Sequence, residues 1–218
     1  MEPTRGIMEL KHLLAVFCLA TMPFAAGRDA MADTYRSNET PKYTVERSEG
    51  DIELRAYAPR IMAEVAVTGS QSQAVNAGFR VLAGYIFGGN DSGAKVAMTS
   101  PVTQVPGESI AMTTPVTQMA RDGNWVVQFM MPASFTLDSL PRARDPAIRF
   151  VSLPADRQVV MRFSGIASTA TLTSKEGQLR SWARGQALHV MAGPFYYFYD
   201  APWTVPWNRR NEVAFALK

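Results

Sequence analysis

RIMAEVAVTGS (Arg60–Ser70) and RQVVMRFSGIAS (Arg157–Ser168) are the two stretches from which the fold can be read. Each is an apolar run rich in β-branched residues that reads as a strand and precedes an expected helix, and the two resemble each other. After Ser70, a plausible N-cap, Val75, Phe79, Leu82 and Ile86 recur at the spacing of one helical face. The helix is expected over 71–87, with Gly88-Gly89 ending it. In the second stretch, Thr173 or Ser174 is expected to cap a helix running to about Leu188, with Leu179, Trp182 and Ala183 on its apolar side. Working outward, YTVER (43–47) and DIELRAY (51–57) read as strands, and NWVVQFMM (124–131) as another. AIRFVSL (147–153), FYYFY (195–199) and NEVAFALK (211–218) complete the set. Both halves follow the order strand, strand, helix, strand, strand. The expectation is an α+β fold of two pseudo-repeated β-α-β halves. Two helices would pack on one curved antiparallel sheet that curls or closes into a distorted barrel.

The ends bound the rest. Arg5 and Lys11 precede the apolar run Leu13–Ala26, too short to span a bilayer comfortably, and Ala30 and Ala32 form an A-x-A cleavage pattern. Residues 1–32 are therefore expected as a signal peptide, 33–42 as a flexible polar arm, and 43–218 as a single domain. That places the protein outside the cytoplasm, periplasmic or secreted; an uncleaved leader acting as a membrane anchor is the alternative. The sole cysteine, Cys18, lies in the leader, so the mature chain is expected to have no disulfide. The leader carries three basic and three acidic residues, so the mature chain keeps the formal net charge of +3. Its Lys and Arg are scattered and match no nucleic-acid motif, which argues against a nucleic-acid partner.

Between the halves a phrase occurs twice, as KVAMTSPVTQ (95–104) and IAMTTPVTQ (110–118). Pro106-Gly107 suits the centre of a type II turn, so the copies are expected to pair as a hairpin, Met98 near Val116 and Val102 near Met112. Pro101 and Pro115 each remove a ladder donor and push that hairpin towards an edge or bulge at the rim of the sheet. The Met side chains either fill core gaps or form a pliable wall against a flat ligand.

These phrases, with YTVERSEGDIELRAYAPRIMAEV (43–65) and GPFYYFYDAPWTVPWNRRNEVAF (193–215), resemble the SOUL family of haem-binding proteins over about 42–218. The resemblance implies a distorted barrel of two similar β-α-β halves. It also implies non-covalent binding of haem b or another tetrapyrrole in an apolar groove. The implied fold is also similar to the small-molecule-sensing domains of some bacterial regulators.

Candidate ligand-binding residues are Phe79 and Leu82 of the first helix, Met98 and Met112 of the repeated phrases, and Tyr197 and Trp203 of the aromatic run. Arg209, with Arg210, can pair with propionates in a bidentate way, or with Asp200 or Glu212 to fix the last strand. His189 is the only histidine beyond the leader. It is either an axial iron ligand or a surface histidine near a helix C-terminus. Met98, Met112, Met130, Met131 or a tyrosine could ligate instead, as could none. Glu53 and Arg55 alternate to one face and are expected to form solvated cross-strand pairs.

No cysteine nucleophile remains after the leader, one histidine cannot build a two-His metal cluster, and no hydrolase elbow, Walker or dinucleotide motif occurs. The expected function is an exported, non-enzymatic tetrapyrrole carrier, buffer or scavenger, with no stable membrane span in the mature form. A non-haem ligand-binding or interaction domain is the alternative, and a weak hydrolase or tetrapyrrole-modifying enzyme is the second alternative.

Overall fold

The computed structural model describes residues 34–106, 124–201 and 203–218. A two-stranded hairpin, β1 (Thr34–Tyr35) and β2 (Asn38–Glu39), precedes a nine-stranded antiparallel sheet. Its strands are β3 (Tyr43–Glu49), β4 (Ile52–Tyr57), β5 (Arg60–Thr68), β6 (Val102–Pro106), β7 (Asn124–Met130), β8 (Arg149–Leu153), β9 (Asp156–Phe163), β10 (Val190–Phe198) and β11 (Asn211–Leu217). Helix α1 (Gln71–Ile86) follows β5, and α2 (Thr169–Gly185) follows β9. The spatial order is β3-β4-β9-β11-β10-β6-β7-β5-β8. The α+β class and the single large antiparallel sheet match the expectation; closure into a barrel does not. Among the described residues β3 and β8 are the outer strands, and exposed Arg47 and Glu49 on one and Arg149 on the other keep those edges solvated.

Local chemistry explains the helix starts. Ser70 Oγ accepts from the Gln73 amide while Gln73 Oε1 accepts from the Ser70 amide, a capping box. The second cap is Ser168, not Thr173 or Ser174: its hydroxyl accepts from the Thr171 amide at 3.2 Å. Ser70 and Ser168, the last residues of the two stretches, thus cap the two helices. α2 also ends early, at Gly185, because Ala187 adopts a left-handed φ of 54° and the Leu188 amide folds back on the Ala183 carbonyl.

Both helices cover one face of the sheet. α1 packs on β5 and β7, burying Leu82, Tyr85 and Ile86 against Val65, Val127 and Phe129. At Gly78 a Cβ would meet the Val127 side chain at 2.5 Å, so glycine sets how closely α1 lies on the sheet. α2 packs mainly on β11 and β9, burying Leu172, Leu179 and Ala183 against Val159, Met161, Val213 and Phe215. Strand alternation sends the intervening residues to the other face, where Tyr57, Val160, Tyr197, Tyr199 and Ala214 form a separate cluster.

One further expectation changes, and residues 34–42 make defined contacts with the rest of the chain. Tyr35 Oη donates to Asp200, Arg36 pairs with Asp200 at 2.8 Å, and the Glu39 and Lys42 carbonyls accept from the Ser100 and Ala58 amides. A buried carboxylate at Asp200 gives this polar segment something to bind. The first repeated phrase supplies β6, an interior strand between β10 and β7 rather than a rim strand. Pro101 stands one residue before β6, where no ladder donor is lost. The second copy, with Met112, Pro115 and Val116, lies outside the described residues, and so does the expected pairing of the two copies.

Candidate functional site

On the face away from the helices the sheet encloses a cavity of about 260 Å³. Its lining follows from alternation. In β10, Tyr196 and Phe198 pack on the helix side, which turns Tyr197, and beyond the strand Tyr199, the other way. The same rule brings Tyr57 from β4, Met62 from β5, Thr103 from β6, Gln128 and Met130 from β7, and Gln158 from β9 into the wall. Phe195 joins Tyr197, their rings 4° from parallel with centroids 6.4 Å apart. Pro41, Pro101, Leu153 and Pro154 complete it. The lining is mainly rings, thioethers and prolines, suited to a flat apolar body.

One polar chain crosses this wall. Arg60 Nη1 lies 2.6 Å from Asp156 Oδ1, Gln158 Nε2 donates to Asp156 Oδ2, and Tyr197 Oη donates to Gln158 Oε1. Burial by itself would lower the Arg60 pKa, but Asp156 outweighs it and holds the guanidinium charged. Burial drives the Tyr197 hydroxyl well above its ordinary value, so it is a neutral donor. A second cavity of about 200 Å³ shares Arg60 and Met130 with the first and is also lined by Ile61, Met131 and Phe135. The N-terminal segment walls both, with Pro41 in the first and Glu39, Thr40 and Lys42 in the second.

Beside the cavity sits a buried charge cluster. Arg55 forks onto Glu212 at 2.9 and 3.0 Å and reaches the Tyr57 hydroxyl and Glu53. Arg210 meets Glu212 from the other side at 2.7 Å, its guanidinium 4.0 Å from the Tyr199 ring centroid. The expected solvated Glu53–Arg55 pairing is thereby corrected: the two share a face, but Arg55 is only 2% exposed because β11 brings Glu212 beneath it. Burial by itself would raise the Glu212 pKa; Arg55 and Arg210 outweigh it and hold the carboxyl below its ordinary value. This cluster holds the sheet together across β4 and β11 and stiffens the Tyr57 and Tyr199 walls.

Of the sequence candidates, Tyr197 lines the cavity. Leu82 is fully buried under α1, Phe79 packs edge-on against Phe129, and Met98 is half-buried against the same cluster. Trp203 is 86% exposed on the loop between β10 and β11. Arg209 donates through Nε to the Thr204 carbonyl in that loop. Arg210, by contrast, pairs through its side chain with Glu212, and its backbone amide donates to Asp200. His189 is exposed just before β10, its carbonyl accepting from the Lys218 amide, and does not line either cavity. Tyr57, Arg60, Met62, Gln128 and Gln158 went unpredicted as site residues. The signal was present as polar and thioether side chains at alternate positions of strands whose other positions are aliphatic.

The SOUL heme-binding protein family matches residues 38–216. The chain belongs to the SOUL haem-binding family. Among solved structures, the C-terminal domain of EcmrR superimposes with a TM-score of 0.58 at 12% identity, covering 77% of this chain and 96% of that one. An uncharacterized conserved protein from Listeria innocua gives 0.52 at 13% identity, over 79% of this chain and 95% of its own. A hydrolase from Listeria innocua gives 0.51 at 12%, over 79% and 94%. At such identity these relatives share the fold of the SOUL chain and no more. Curated proteins gave no match. Among the described residues, no helix is long and apolar enough to cross a membrane, and no group of three His, Cys, Asp or Glu is placed to hold a metal ion.

Proposed function

We propose that the protein binds haem or a related tetrapyrrole non-covalently on the face of the sheet away from the helices, as an exported carrier, buffer or scavenger. The observation that carries the binding reading is the cavity wall of Tyr57, Phe195, Tyr197, Tyr199, Met62 and Met130 in a member of the SOUL haem-binding family. The residues fit a macrocycle chemically. Rings and thioethers suit its flat faces, and Arg60, held charged by Asp156, lines the same cavity and could pair with an acidic edge. When bound, haem supplies a π surface and an iron centre; the wall offers Met62, Met130 or a tyrosine to that iron, and no histidine. Its acidic edge would sit on Arg60 and its faces against the aromatic wall. Export is supported by the Leu13–Ala26 run and the A-x-A pattern.

Hemin titration of the purified protein tests this. A Soret shift and tryptophan quenching that saturate at one equivalent are expected, weakened in M62A/M130A and unchanged in position in H189A. No spectral change at micromolar hemin would sink the reading.

The cavity volume favours a second reading. About 260 Å³ lies below the usual range of roughly 300–1,000 Å³ for small-molecule pockets. A smaller planar acid, binding in place of a tetrapyrrole, would fill it, and saturable binding of such an acid with no response to hemin would favour that account. Product formation from haem and a reductant would instead point to a tetrapyrrole-modifying enzyme.

A further inference from the structure

We propose that the loops at 164–167 and 203–209 form a membrane-docking surface that seats Trp203 and Trp207 at the headgroup level of an anionic bilayer. Seven large apolar side chains are exposed among the described residues. Four of them stand on these two loops: Ile166 (62%), Trp203 (86%), Val205 (42%) and Trp207 (74%). Scattered exposed apolar residues need no explanation, but a concentration with two indoles marks an interaction site. The loops are neighbours, since the Gly165 amide donates to the Pro206 carbonyl at 2.9 Å and Asn211 Nδ2 donates to the Gly165 carbonyl.

The tips are preformed. The Thr204, Asn208 and Arg209 amides donate to the Ala201, Val205 and Pro206 carbonyls, and Arg209 Nε donates to the Thr204 carbonyl. The indoles are therefore presented by a braced loop.

A bilayer suits this surface better than a protein. Stable protein interfaces bury about 800 Å² per partner, whereas four protruding side chains make a small tip. Indoles favour the membrane–water boundary, where the ring is sheltered and the N–H stays wet. The charge around the tip has the right sign. Neither loop carries an acidic residue, and Arg209 in the second loop is basic; Arg36, which donates to the Asn208 carbonyl, is paired with Asp200. The carboxylates that flank the second loop in sequence, Asp200 and Glu212, are buried and answered by arginine, Asp200 by Arg36 and Glu212 by Arg55 and Arg210. None of the four tip residues lines a cavity, so docking stands apart from ligand binding.

The test uses the full chain without added ligand. Trp125 and Trp182, both half-buried, are the other two tryptophans, and the leader has none. An apolar leader alone therefore cannot mimic the readout. The chain is mixed with phosphatidylcholine vesicles, with and without phosphatidylglycerol, whose acyl chains carry bromine as a tryptophan quencher. Co-flotation, a blue-shifted emission and bromine quenching are expected, stronger with phosphatidylglycerol and weakened by salt. In W203F/W207F the quenching is expected to vanish while the unfolding midpoint stays unchanged, because both side chains are exposed. Failure to float, or flotation with no quenching beyond that of W203F/W207F, overturns the proposal. Self-association by light scattering that W203F/W207F abolishes, with no vesicle quenching, overturns it in favour of a protein interface.

Discussion

Replacing Glu212 by Gln removes the one negative charge that buried Arg55 and half-buried Arg210 share, while keeping nearly the same shape. Arg55, 2% exposed, loses two charge-assisted hydrogen bonds of 2.9 and 3.0 Å. It keeps Glu53 at 2.7 Å and the Tyr57 hydroxyl. Arg210 can turn towards water, but Arg55 cannot, because Tyr43 and Tyr57 close over it. Removing one partner of a buried pair costs about 3–5 kcal/mol, and the remaining Glu53 contact puts E212Q near the lower end, about 3 kcal/mol. Against a domain stability of about 5–15 kcal/mol that is a large loss. Urea unfolding at neutral pH measures it as a lower midpoint at unchanged slope. The companion R55L/E212L, which removes both buried charges of the pair, is expected to recover much of the loss. A loss under about 1 kcal/mol for E212Q, or a double variant as unstable as the sum of the two single ones, would refute the account. The same cluster fixes the acid response. The folded carboxyl titrates below its ordinary value of 4.5, so the unfolded chain takes up the proton first. Its contribution is fully present above that value and fades as pH falls towards the folded pKa; E212Q flattens this part of the profile.

Gly78→Ala is expected to destabilise despite the better helix former, because its methyl would lie 2.5 Å from the fully buried Val127. About 1–3 kcal/mol of overpacking shows as a lower thermal midpoint. Ser70→Ala removes the side-chain half of a capping box and should cost about 1 kcal/mol, and Ser168→Ala a similar amount, in urea titrations. Tyr197→Phe leaves the Gln158 carbonyl without its donor at a site 1% exposed, a loss of about 1–3 kcal/mol by the same assay.

Much of the fold was legible because it rests on local rules. The 75/79/82/86 stripe gave the first helix and the face that α1 buries, Leu179, Trp182 and Ala183 gave the second helix, and alternation gave the strands. Thr173 and Ser174 misled because serine and threonine are plentiful there, and only backbone geometry selects Ser168 as the residue whose hydroxyl meets a free amide. Closure of the sheet was not legible, since it depends on whether β3 and β8 meet, and nothing local encodes that.

The candidate site divides the same way. Composition and the SOUL-like segments pointed to a chain rich in rings and thioethers, and the sequence alone sufficed for that. Which rings share a wall was decided by register. β10 lies beside β11 and β6, so Tyr197 meets Gln158 from β9 and Thr103 from β6, while Phe79 and Leu82 turn into the core on the opposite face. Arg55 and Glu212 are 157 residues apart. Their union is a tertiary fact, because burial makes each charge costly until the fold supplies the other.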